Sequence, residues 1–89
     1  MNVKWRPEEV VDVVRRNLDG FLPGRFYVVR EGYLVTAYAY DDHTFDSVDL
    51  GKLEQQLRQF IAHFTDGLVL DFVARPVPNA ILIMTRPFP

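Results

Sequence analysis

Eighty-nine residues make one domain, 1–89, and a chain this size buries roughly 60–65% of its unfolded surface, so a partner surface would add to a thin core. A composition 48% hydrophobic and 25% charged excludes a disordered chain. The absence of cysteine excludes disulfides, thiol catalysis and zinc–cysteine sites, and a net charge of −2 argues against binding driven by phosphate neutralisation.

Val10, Val11, Val13, Val14, Leu18 and Phe21 recur at helical spacing and predict a first helix. Pro7 suits its first turn, and Glu8 and Glu9 suit the positive end of the helix dipole. Asp19-Gly20 is the expected stop, with Pro23-Gly24 turning the chain into a strand. Trp5, ahead of this helix, is expected to staple its start or rest at the core edge.

Residues 25–40, RFYVVREGYLVTAYAY, read as one β-hairpin. A two-residue turn at Glu31-Gly32 would pair Val28 with Val35, Phe26 with Ala37, Tyr27 with Thr36 and Arg25 with Tyr38. Because strand side chains alternate, Phe26, Val28, Val35, Ala37 and Ala39 share one small apolar face. Arg25, Tyr27, Val29, Leu34, Thr36, Tyr38 and Tyr40 share the other.

A polar loop, 41–47, follows, and Ser47 or Asp49 can cap the next helix. Leu50, Leu53, Leu57, Phe60, Ile61 and Phe64 form its apolar stripe, and Glu54 and Arg58 pair along its surface at i, i+4. Asp66-Gly67 stops it. Two further strands, 68–75 and 80–86, flank the loop 76–79. Leu68, Leu70, Phe72 and Ala74 alternate toward Ile81 and Ile83. Val69, Asp71, Val73 and Arg75 alternate on the opposite side with Leu82, Met84 and Arg86. Pro87 and Pro89 cannot continue a ladder, so 86–89 is expected as an extended tail.

The predicted fold is α+β, ordered α-β-β-α-β-β: a four-stranded, mainly antiparallel sheet with two helices packed on one face. The other sheet face would then lack cover. Its Arg25, Tyr27, Tyr38, Tyr40, Val73, Arg75, Leu82, Met84 and Arg86 form the expected partner-binding set, since Tyr, Arg and Met around an aliphatic centre are enriched at protein interfaces.

Nothing in the chain matches a catalytic or cofactor motif. The five glycines stand singly at turns, so there is no phosphate loop. Asp41, Asp42, His43, Asp46 and Asp49 crowd one loop but fail the calcium-loop pattern: from Asp42, the sixth position is Ser47 instead of Gly and the twelfth is Leu53 instead of Glu. Loop solubility and capping account for them, and the same holds for His43 and His63 as surface residues. No cofactor and no metal are expected. With no basic-then-apolar leader and no long apolar run, a cytoplasmic protein without a membrane partner is expected.

The expected function is a non-enzymatic protein-interaction module, a small adaptor, escort or inhibitor. It would self-associate as a homodimer through the uncovered sheet face or a sheet edge. The alternative is a nucleic-acid-binding module that stacks bases on Tyr27 and Tyr38 and holds phosphates with Arg25, Arg75 and Arg86. Asp71 and the aliphatic centre weigh against it.

Overall fold

Pro23 sets the end of the first helix, not Asp19-Gly20. In the computed structural model, which describes residues 6–87, α1 spans Pro7–Phe21 and runs straight through both residues. Leu22 leaves the helix at φ −102° and ψ 137°, the extended backbone that a following proline imposes. Gly20 keeps an ordinary backbone in the last turn. Val10, Val14 and Leu18 recur every four residues and are fully buried. Asn17 shares that face and donates Nδ2 to the Val13 carbonyl at 3.2 Å. Trp5 and the residues before it lie outside the described residues, as do Phe88 and Pro89.

Asp49 caps α2, Leu50–Phe64, by accepting the Lys52 N–H at 3.1 Å on Oδ1. Leu53, Leu57 and Ile61 form its buried stripe; the Phe64 side chain is outside the described set. Gly67, at φ 84°, turns the chain out of the helix in a conformation that costs glycine little.

The strands are β1 (Phe26–Glu31), β2 (Leu34–Ala39), β3 (Leu68–Val77) and β4 (Ala80–Pro87), in the sheet order β1-β2-β4-β3. Each neighbouring pair is antiparallel. The two hairpins therefore meet within one chain, β2 against β4, and α2 carries the chain past β4 to the far edge. Both helices lie on one face: α2 covers β3, while α1 packs on β1 and α2. The architecture is the α+β arrangement expected from the sequence.

The first hairpin departs from expectation at its turn. Glu31 pairs with Leu34, so Gly32-Tyr33 are the central residues and every pair shifts by two: Val28 faces Ala37 and Tyr27 faces Tyr38. Gly32 holds φ 62° while Tyr33 stays at negative φ. Positive φ at the first central residue alone marks a turn that takes glycine first. A shift of two preserves side-chain parity, so the two faces keep their expected members.

The second hairpin is longer than expected. Its turn is Pro78-Asn79, and β3 extends through Arg75 and Pro76 to Val77. Arg86, the expected end of the fourth strand, pairs with Val69, and Pro87, expected in the tail, continues the ladder opposite Leu68. Pro87 sits at the strand end, where its missing N–H breaks no interior ladder.

The buried residues form one cluster between the helices and the sheet. Its largest fully buried side chain, Phe45, comes from the loop between β2 and α2. Its ring stands 6.4 Å from that of Phe26. Asp41 builds the turn that aims it, taking the N–H groups of His43 and Thr44 and the Thr44 hydroxyl on one oxygen. Gly24 lets the chain pass this turn: a Cβ there would stand 2.6 Å from Thr44 Cγ2. Thr85, also fully buried, satisfies its hydroxyl on the Tyr33 carbonyl at 2.8 Å, tying the first turn to β4.

Candidate interaction surface

The paired registers stack the uncovered face into rows running across the sheet. Tyr27, Tyr38, Ala80 and Val77 form one; Val29, Thr36, Leu82 and Ala74 form the next; Glu31, Leu34, Met84 and Phe72 form the third. Exposure is concentrated on the outer strands. Tyr27, Val29, Phe72 and Val77 are each 44–49% exposed, while Thr36 and Ala80 between them are buried by their neighbours. Along its strands the face thus carries its most exposed large apolar side chains on the outer pair, β1 and β3.

Aromatic side chains close one corner. The rings of Tyr27 and Tyr38 stack at 5.3 Å, and Tyr40 tilts against Tyr27 at 5.4 Å. The Arg25 guanidinium lies over the Tyr40 ring, 5.6 Å from its centroid, a cation–π contact that fixes its direction. Tyr40 is 67% exposed, the most open of the large apolar side chains among the described residues. This corner assembles because the Gly32-Tyr33 turn sets Tyr38 directly opposite Tyr27, where a turn at Glu31-Gly32 would have set it opposite Arg25.

At the far end of the sheet, Arg86 donates from Nε to Asp71 Oδ1 at 2.7 Å. Asp71 sits where the β3–β4 register slips between Leu70 and Phe72. One extra residue there reverses the alternation as far as the second slip, which follows Ala74. Val73 and Arg75, expected on the open face, therefore point to the helix side: Val73 faces Ile83 and packs on the core. Phe72 and Ala74, expected in the core, turn to the open face instead. Of the expected set, Arg25, Tyr27, Tyr38, Tyr40, Leu82, Met84 and Arg86 lie together on the uncovered side; Val73 and Arg75 do not. Sequence reasoning misses Phe72 and Val77, although the acid interrupting the run Leu68-Val69-Leu70 was a visible irregularity.

Arg75 serves the loop instead. Its Nη2 donates to Asp46 Oδ1 at 2.7 Å, and its Nε to the Pro78 carbonyl at 2.9 Å. His43 Nδ1 stands 3.1 Å from the other oxygen of Asp46. Among the described residues, the acidic loop and its surroundings group no set of side chains able to hold a metal ion. The Arg75 hydrogen bond, followed by that of His43, holds the Asp46 carboxyl below its ordinary value near 3.8. The His43 N–H, then the Thr44 hydroxyl and N–H, lower that of Asp41. The hydrogen bond and charge of Asp46 raise His43 above its ordinary 6.5.

These shifts act in opposite pH windows. The Asp41 and Asp46 contributions are complete above about pH 4 and fade as pH falls through their lowered folded-state values. The His43 contribution is complete below about pH 6.5 and fades as pH rises through its raised value. An NMR titration of the His43 ring should accordingly give a midpoint above 6.5. Asp46→Asn should lower that midpoint toward the ordinary histidine value; an unmoved midpoint would mean the pair does not persist in solution.

No protein-family model matches the chain, and neither a curated protein nor a solved structure gives a significant match.

Proposed function

We propose that this chain is a non-enzymatic protein-interaction module, a small adaptor, escort or inhibitor working in the cytoplasm. In this reading it self-associates along its sheet and takes another protein's apolar surface on the open face. One observation carries it: Tyr and aliphatic side chains from all four strands share one face with no helix over them. A face meant only for water would alternate Lys, Glu, Thr and Ser, whereas an unbroken apolar patch with aromatic corners is the composition of contact surfaces.

The nucleic-acid alternative has less support. It depends on Arg25, Arg75 and Arg86, yet Arg75 binds Asp46 on the helix side and Arg86 is held by Asp71. Among the described residues no helix is long and apolar enough to cross a membrane.

Sedimentation equilibrium tests the self-association. The expected result is a dimer fraction that rises with protein concentration and changes little between about 50 and 200 mM salt, unlike phosphate-driven binding. A monomer at every concentration would count against the proposal.

A further inference from the structure

β1 differs from every other strand in having no buried residue. Phe26, Val28 and Arg30 point into the core layer yet remain half-exposed, and Tyr27, Val29 and Glu31 are exposed on the open side. The neighbouring β2 buries Val35, Ala37 and Ala39 at the matching positions. The sheet ends at β1 with its side chains only partly packed on either side.

Its backbone is also available. Residues flanking a two-residue turn exchange both of their hydrogen bonds, so Glu31, Val29 and Tyr27 direct N–H and C=O to β2. Phe26, Val28 and Arg30 direct theirs away from the sheet. No proline, glycine or register slip interrupts this strand. The opposite edge is closed by several of the devices that block strand addition. β3 slips register twice and contains Pro76. Arg58, reaching down from α2, donates to the Leu70 carbonyl at 2.8 Å.

We infer that β1 pairs antiparallel with β1 of a second copy, with Val28 on the two-fold axis, giving a continuous eight-stranded sheet. This rests on the self-association proposed above and specifies its edge and register. Centring on Val28 sets Phe26 opposite Arg30 of the second copy and Val28 opposite its own counterpart, so all the outward backbone groups of β1 find partners. On the open side it sets Tyr27 opposite Val29, an aromatic and β-branched pair. At both ends it sets Arg25 opposite Glu31, which carries no ion pair among the described residues. Sliding the axis to Val29 would put Tyr27 against Glu31 and leave Arg25 beyond the partner's strand. The second copy thus supplies the charge pattern this edge needs.

Charge reversal with rescue tests the register. Arg25→Glu alone and Glu31→Arg alone should each weaken the dimer about tenfold, because each creates two like-charged cross-strand pairs. The double variant should return to within about threefold of wild type, since its two new pairs are again opposite in charge. Within one protomer these side chains stand roughly 20 Å apart along the strand, at about 3.4 Å per residue, so rescue can arise only between copies. Cysteine scanning gives an independent readout in a chain that has none. Val28→Cys should oxidise to a covalent dimer, its Cα atoms standing about 5.5 Å apart across the axis. Val29→Cys, about 8 Å from its counterpart by the strand spacings, should not. If the wild type dimerises but rescue fails, or Val29→Cys cross-links as readily as Val28→Cys, the β1 register is wrong while self-association stands. A wild type that is monomeric throughout overturns both.

Discussion

Phe45→Ala is expected to lose about 3–5 kcal/mol of folding stability, as buried Phe-to-Ala changes do when the cavity cannot collapse. Phe45 is fully buried and comes from a loop whose turn is held by Asp41. That loop cannot follow the shortened side chain inward without breaking the Asp41 bonds, so the cavity stays. Marginal domains hold only about 5–15 kcal/mol in total. The loss should appear as a melting temperature lower by roughly 12–40 °C, given about 4–8 °C per kcal/mol at this size. Urea denaturation should show the same loss as a lower midpoint at unchanged slope. A cost below about 1 kcal/mol would mean that the ring is not part of the core.

The second large effect comes from two adjacent residues of β4. Ile81 is fully buried opposite Ala37, beneath the helices, whereas Leu82 is half-buried opposite Thr36 on the open face. Ile81→Ala should cost about 2–5 kcal/mol and Leu82→Ala clearly less, because Leu82 keeps part of its apolar surface in water in the folded state whereas Ile81 keeps none. Paired denaturation curves read the contrast directly. Equal costs would mean that the outer face is buried as deeply as the inner one, which would also remove the basis of the proposed contact surface.

Much of this architecture was legible because it depends on repeating patterns. Val10, Val14 and Leu18 announce the first helix, Leu53, Leu57 and Ile61 the second, and alternation in the first hairpin separates Phe26 and Val28 from Tyr27 and Val29. Parity protected that separation: the turn moved from Glu31-Gly32 to Gly32-Tyr33, yet a slip of two residues leaves each side chain on its face. The second hairpin had no such protection. One inserted residue at Asp71 exchanges the faces of Phe72, Val73, Ala74 and Arg75, and periodicity cannot locate an insertion of one without knowing what lies opposite. Phe45 escaped for another reason. It has no periodic neighbours, and its burial depends on a turn made by Asp41 and a passage cleared by Gly24, both tertiary facts. A large aromatic among acids was the available signal. At the end of α1 two local rules competed: Asp19-Gly20 weakens a helix, but Pro23 forbids its continuation, and the stronger restriction prevailed.

The register slips in β3 have a consequence for assembly. With Pro76 and the Arg58 hydrogen bond, they leave the sheet one pairable edge, a valence of one. Units of valence two join head to tail into open-ended ribbons; units of valence one stop when each has found a mate. Under the proposed β1 pairing, the irregularity that places Val73 and Arg75 off the open face would thus hold strand addition at two copies. Raising the concentration would fill that pair and leave no edge from which a fibre could grow.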